Sequence, residues 1–237
     1  MGRLYALDGK TVLSSWQKLG QCKQTVLNMT GGTVKSSIYG GGEIGIVAQN
    51  ATLNIDGGTV GTKVVDSEDA TKYYYFGSVF GGGKGSTENI DGISAAGTTQ
   101  GDVEVHLNKT PSTKGAIVNQ VFGCNDMNGS PKGDVTVHVY ATQSPDKDNI
   151  STKPTKGTQT FDVEAVYGGG SLAAYEPEGG KNTNKSTKVI IDGCGLTSIR
   201  QVYGGGNAAS TPATNVELNG TYEILELFGG GNGFDNL

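Results

Sequence analysis

Ile38-Tyr39-Gly40-Gly41-Gly42 is the first of six near-identical phrases: it returns as Val79-Phe80-Gly81-Gly82-Gly83, Val121-Phe122-Gly123, Val166-Tyr167-Gly168-Gly169-Gly170, Val202-Tyr203-Gly204-Gly205-Gly206 and Leu227-Phe228-Gly229-Gly230-Gly231. Each is an aliphatic residue, an aromatic residue, then glycine. Recurrence at spacings of 25 to 45 residues marks a stacked-repeat architecture. One such unit cannot bury its apolar face alone and gains a core only by stacking on its neighbours.

A second phrase precedes each of these. It reads Leu27-Asn28-Met29-Thr30, Leu53-Asn54-Ile55-Asp56, Val105-His106-Leu107-Asn108, Val137-His138-Val139-Tyr140, Val189-Ile190-Ile191-Asp192 and Val216-Glu217-Leu218-Asn219. Apolar residues hold the first and third places and polar ones mostly the second, which is the period of a half-buried strand. The closing Asp or Asn suits a turn, because its side chain hydrogen-bonds nearby backbone. The predicted core is the first and third residues of each phrase, together with Ile38, Val79, Val121, Val166, Val202 and Leu227.

Alternation then sends Tyr39, Phe80, Phe122, Tyr167, Tyr203 and Phe228 to the opposite side, as an outward stripe stacked coil upon coil. The reverse orientation, with the rings inside at a corner, stays open. An exposed stripe of six rings would need a cover, either the chain's own insertions or a ligand. The glycine triplets suit sharp turns or closely packed backbones. A phosphate-cradling loop would need a following helix and Gly-Lys-Ser/Thr. Gly83-Lys84-Gly85-Ser86 lacks the spacing.

Polar insertions at 61–76, 84–100, 141–160 and 171–186 lengthen the repeats and are expected to form side loops. The densest aromatic cluster, Tyr73-Tyr74-Tyr75-Phe76, lies in the first of these. It is the candidate ligand-binding group, with folding down over the stripe as the structural alternative. Val12, Leu13, Trp16 and Leu19 fall at helical spacing, so residues 11–21 are expected to form a short amphipathic helix that plugs one end. The domain division is 1–23 as an N-terminal cap and 24–237 as a single repeat domain.

The bulk composition agrees. Glycine numbers 40 of 237 residues, more than double the usual ~7%, without the every-third spacing of collagen. The net charge is −5 and there is no basic stripe, so nucleic acid is not an expected partner. No apolar run of membrane-spanning length occurs, and membrane insertion is not expected. The first residues lack the apolar core of a signal peptide. The chain stops just after a repeat phrase, where a solenoid normally carries a capping element, so it reads as a piece of a longer exported protein. Cys22, Cys124 and Cys194 form no CxxC pair and are expected to be free thiols, the latter two in tight turns.

Aliphatic-aromatic-Gly-Gly-Gly phrases alternating with xVxVxI(D/N)G strands resemble the repeat regions of large secreted bacterial surface proteins of autotransporter-like or adhesin-like type. The likeness runs from about Gln24 to the C-terminus. It implies an all-β chain folded as a right-handed parallel β-helix, or β-solenoid, with long side loops. It also implies an extracellular or cell-surface setting and a non-catalytic role displaying loops to a glycan or to a host or bacterial surface protein. The alternative is a carbohydrate-binding or carbohydrate-cleaving β-helix. The resemblance brings no catalytic residues to carry over.

Two other chemistries have candidate residues in the sequence. His106 and His138 hold the same place in successive repeats and are expected side by side about one strand spacing (~4.8 Å) apart. Zinc wants three or four ligands; Glu104 and Thr136 are read as facing away, so no metal and no cofactor is expected. Asp66-Ser67-Glu68-Asp69 and Asp146-Lys147-Asp148-Asn149 lack the EF-hand glycine and terminal glutamate, and read as solvated loops. Catalysis on a β-helix needs clustered carboxylates along one face, whereas the second-position column holds only Glu217.

Overall fold

The computed structural model describes residues 4–5, 7–10, 12–14, 16–65, 67–70, 73–90, 92–110, 115–142, 161–193 and 197–233. The chain is all-β; the described residues hold one four-residue α-helix, Trp16–Leu19, and a 3-10 turn at Gly180–Asn182. Both repeated phrases form strands, and equivalent strands of successive repeats pair in parallel.

The first sheet runs in chain order through Thr25–Val34, Ala51–Val60, Val103–Leu107, Val135–Val139, Thr187–Asp192 and Thr214–Gly220, with Ala116–Val118 added beside the end of Ala51–Val60. The register places Leu27, Leu53, Val105, Val137, Val189 and Val216 in one row and Met29, Ile55, Leu107, Val139, Ile191 and Leu218 in another. The second sheet runs through Ile38–Tyr39, Ser78–Phe80, Gln120–Phe122, Val163–Tyr167, Ser198–Tyr203 and Glu223–Phe228, again in chain order. Sequence-adjacent repeats are therefore spatial neighbours throughout both sheets.

A third parallel register is shorter. Ile46–Val47 pairs with Thr98–Thr99, Cys22 bridges to Val47, and Thr99 bridges to Pro131. The insertion at 84–100 is thus partly built into this third register rather than hanging outside as a loop. The insertion at 171–186 also contributes inward: Tyr175 is buried, and its hydroxyl donates to the Gly133 carbonyl at 2.6 Å. The insertion at 61–76 forms an antiparallel hairpin of Thr62–Val65 with Tyr73–Phe76. The insertion at 141–160 lies almost entirely outside the described residues.

The inward rows of the two sheets meet in one continuous core from Met29 to Val202. Strict alternation holds best in the middle: residues 51–57 and Val135–Val139 bury every second position. The predicted core residues are buried there and lose cover at the ends. Leu218 is 48% and Leu227 42% exposed, because no further strand lies beyond them among the described residues. Of the expected N-terminal cap, the side chains of Val12, Leu13 and Trp16 lie outside the described residues. Its helix has one turn rather than the length 11–21 suggested, and Leu19 is exposed. One turn fixes several dihedrals for little hydrogen bonding, so such a short helix gains little without a surface to pack on. Val26, 61% exposed, stands in the outward row with Thr52, Glu104, Thr136 and Lys188.

The glycine phrase is explained by close backbone approach. A Cβ on Gly81 would overlap the Gly123 carbonyl oxygen and Val103 of the next repeat, and one on Gly168 would overlap the Gly204 carbonyl oxygen. The turn after the aromatic leaves no room for a side chain between coils. Cys124 is accommodated: its thiol is buried and unpaired, faces the Gly168 carbonyl oxygen at 3.7 Å, and is driven to a higher pKa by burial. Cys22 is exposed and free, whereas Cys194 lies outside the described residues.

Candidate recognition surface

The six repeat aromatics stack face to face. Ring centroids are separated by 5.1 Å for Tyr39–Phe80, 4.8 Å for Phe80–Phe122, 4.6 Å for Phe122–Tyr167, 4.8 Å for Tyr167–Tyr203 and 4.9 Å for Tyr203–Phe228, with planes within 10° of parallel. The spacing is that of adjacent strands, because one ring comes from the same place in each. The rings lie on the opposite face from Val79, Val121, Val166 and Val202, as alternation predicts, and form a second apolar cluster with Ala165.

The stripe faces outward from the core as expected but, contrary to expectation, is buried over most of its length. Phe122 is 2% exposed and Phe80, Tyr167 and Tyr203 are equally sealed. Their cover includes the segments that follow the glycine turns. Tyr39 donates its hydroxyl hydrogen to Asp126 Oδ2 at 2.8 Å, and Tyr167 reaches Asn207 Oδ1 at 3.5 Å. Burial and the facing carboxylate raise the Tyr39 pKa, and burial raises that of Asp126. Asn125, fully buried, donates to the carbonyls of Gly97 and Asn128 and accepts from Gly83 N–H, pinning three turns together. The stack is a structural spine, and among the described residues Phe228, at its trailing end, is 41% exposed.

Of the candidate ligand-binding group, Phe76 is exposed and does not fold over the stripe. The backbone of Tyr73–Phe76 is one arm of the hairpin, paired as Val65↔Tyr73, Val64↔Tyr74, Lys63↔Tyr75 and Thr62↔Phe76. The side chains of Tyr73, Tyr74 and Tyr75 lie outside the described residues. Val65 on the facing arm is also exposed, so the hairpin presents apolar side chains to solvent.

His106 and His138 pair in register as expected, with centroids 6.2 Å apart. Glu104 was misplaced in the reading of the sequence: residues two apart share a face, and its Oε2 lies 3.3 Å from His106 Nε2. His138 stacks on Tyr140 at 3.8 Å, and its Nε2 lies 3.5 Å from Asp192 Oδ2, at the limit of a hydrogen bond. Burial lowers the His138 pKa, and Asp192 partly offsets this. The pair therefore sits in a ladder of polar and aromatic contacts across three strands. No group of three or more His, Cys, Asp or Glu able to hold a metal occurs among the described residues. Of the two acidic loops, Asp66 and the whole of 146–149 lie outside the described residues.

What sequence reading missed is the polar spine beside the rings. Asn125, Asn128 and Asp126 follow the third glycine phrase, and the only signal for them was their place immediately after a turn. No helix among the described residues is long and apolar enough to cross a membrane. Comparison with known proteins finds no matching family model, no matching curated protein and no matching solved structure.

Proposed function

We propose that the three parallel registers close into a right-handed parallel β-solenoid, and that this rod is a non-catalytic display module of an extracellular or bacterial-surface protein of adhesin type. The observation that carries the reading is the division of labour between sheets and hairpin. The sheets and ring stack are sealed by their own repeats, whereas the hairpin at 62–76 projects with Val65 and Phe76 in solvent. A stiff scaffold with an apolar, aromatic-rich projection suits capture of a glycan or a surface protein, since aromatic faces pack on sugar rings and anchor interfaces alike.

The test is a glycan and surface-protein array probed with the wild type and with a Tyr74→Ala, Tyr75→Ala double variant. The reading expects binding that the variant loses at unchanged thermal stability. Absence of binding by both, with a destabilised variant, would make those tyrosines structural and end the proposal. Release of sugar products from a bound glycan would replace it with a carbohydrate-cleaving role.

A further inference from the structure

We infer that Tyr39 and Asp126 form a proton-coupled redox pair, in which Tyr39 gives one electron to an oxidising radical or metal complex and Asp126 keeps the proton. The inference rests on the ring stack and its turns and not on the adhesin reading. Tyr39 belongs to the first glycine phrase and Asp126 to the turn after the third, so the pair exists only because the repeats stack. The phenol hydroxyl donates to Asp126 Oδ2 at 2.8 Å. That lies within the roughly 2.6–3.2 Å reach that direct proton transfer needs. Both residues are half-buried, and both backbones are fixed. Tyr39 pairs with Phe80 in the second sheet, Asp126 N–H donates to the Gly83 carbonyl, and the Asp126 carbonyl accepts from Leu172 and Ala173.

A phenol that loses an electron becomes a strong acid, so its oxidation is eased when a base already holds its hydrogen bond. The Tyr39 O–H bond breaks, the proton forms an O–H bond on Asp126, and the electron reduces the oxidant by one unit. The products are a neutral phenoxyl radical and a neutral carboxyl group. A one-electron reductant such as ascorbate reverses the step, and the proton returns along the same hydrogen bond. Other tyrosines of the core lack such a base. Tyr167 faces Asn207 Oδ1 at 3.5 Å, and Tyr175 donates to the Gly133 carbonyl at 2.6 Å. An amide oxygen accepts the hydrogen bond but does not hold the proton; a carboxylate does both. Burial raises the Asp126 pKa and strengthens it as a base, while the hydrogen bond from Tyr39 and the Lys84 charge limit that rise. Lys84 is itself paired with Glu43 at 3.1 Å, and Glu43 is the other carboxylate whose charge reaches the phenol. Phe80 covers one face of the Tyr39 ring at 5.1 Å and carries no hydroxyl to share the oxidation.

The test is flash photolysis with a ruthenium tris-bipyridine complex and a sacrificial electron acceptor, which generates the one-electron oxidant in solution. Transient absorption and electron paramagnetic resonance read the tyrosyl radical. The difference between wild type and Tyr39→Phe isolates the radical on Tyr39. Asp126→Asn keeps an oxygen that accepts the hydroxyl but cannot take its proton. It should form the Tyr39 radical at least about 10²-fold more slowly, and Asp126→Glu should restore much of the rate. Thermal melting shows whether each variant is folded. In the unaltered protein the Tyr39 radical should form more slowly in heavy water and fade in acid as Asp126 is protonated, a readout that does not depend on any variant of Asp126. Absence of a Tyr39 difference signal, an undiminished signal in folded Asp126→Asn, or a wild-type rate indifferent to acid and to heavy water would overturn the inference.

Discussion

Phe122 sits at the centre of the ring stack, and its removal tests how the scaffold is held. It is 2% exposed and has a parallel ring on each face, at 4.8 Å from Phe80 and 4.6 Å from Tyr167. Truncating a buried Phe to Ala costs about 3–5 kcal/mol from lost transfer energy and the cavity left behind. Two aromatic neighbours add about 0.5–1.5 kcal/mol each beyond area burial, so Phe122→Ala should fall at the top of that range. Among the described residues Phe228 has a single ring neighbour, and it is 41% exposed. Its truncation removes one stacking contact and only part of the burial, for roughly 1–2 kcal/mol. Phe122→Leu keeps most of the apolar volume and isolates the stacking share at about 1–3 kcal/mol. Urea denaturation followed by far-ultraviolet circular dichroism reads all three. Equal losses for Phe122→Ala and Phe228→Ala would refute the idea that the rings form a buried, mutually supporting spine.

Two further outcomes follow from the turns and from one buried acid. Gly81→Ala should cost about 1–3 kcal/mol by forcing adjacent repeats apart, read by thermal melting, whereas Gly229→Ala should leave stability unchanged. Asp162 accepts a hydrogen bond from Thr142 at 2.7 Å, and burial, with Glu223 nearby, pushes its pKa up to about 6 from the usual 3.8. The folded state then holds the proton more tightly than the unfolded chain, so this group's contribution to stability declines as pH rises between about 4 and 6. Asp162→Asn, measured by melting across that range, should flatten the slope and raise stability at neutral pH; an unaltered slope would count against this assignment.

The all-β character, the parallel pairing in chain order and the inward rows were legible because they depend on local period. Leu53, Ile55, Val137 and Val139 alternate with polar residues, and an error of one position would have turned every one of them outward. The stacking of Tyr39 to Phe228 followed from the same period. Their burial did not, because it depends on Asp126 and Asn207, which belong to other repeats and approach only through the folded turns. The third register was illegible for a related reason: Ile46–Val47 and Thr98–Thr99 are two-residue strands, too short to show any period. Glu104 was legible in principle, since its separation from His106 is even, and was misread. The hairpin at 62–76 escaped notice because its antiparallel pairing owes nothing to the repeat.

The central claim is that successive repeats lie in register as parallel neighbours, and pairs of engineered cysteines test it most directly. Glu104 is opposite Thr136, and Thr136 is opposite Lys188, on adjacent strands. Neighbouring strands are about 4.8 Å apart, within the roughly 4.4–6.8 Å Cα separation that a disulfide spans. In a Cys22→Ser, Cys194→Ser background, Glu104→Cys with Thr136→Cys and Thr136→Cys with Lys188→Cys should each cross-link under mild oxidation. Glu104→Cys with Lys188→Cys, two strands apart, should not. Cross-linking of the distant pair as readily as the adjacent pairs, or of neither adjacent pair, would contradict the stacked, in-register architecture on which the rest depends.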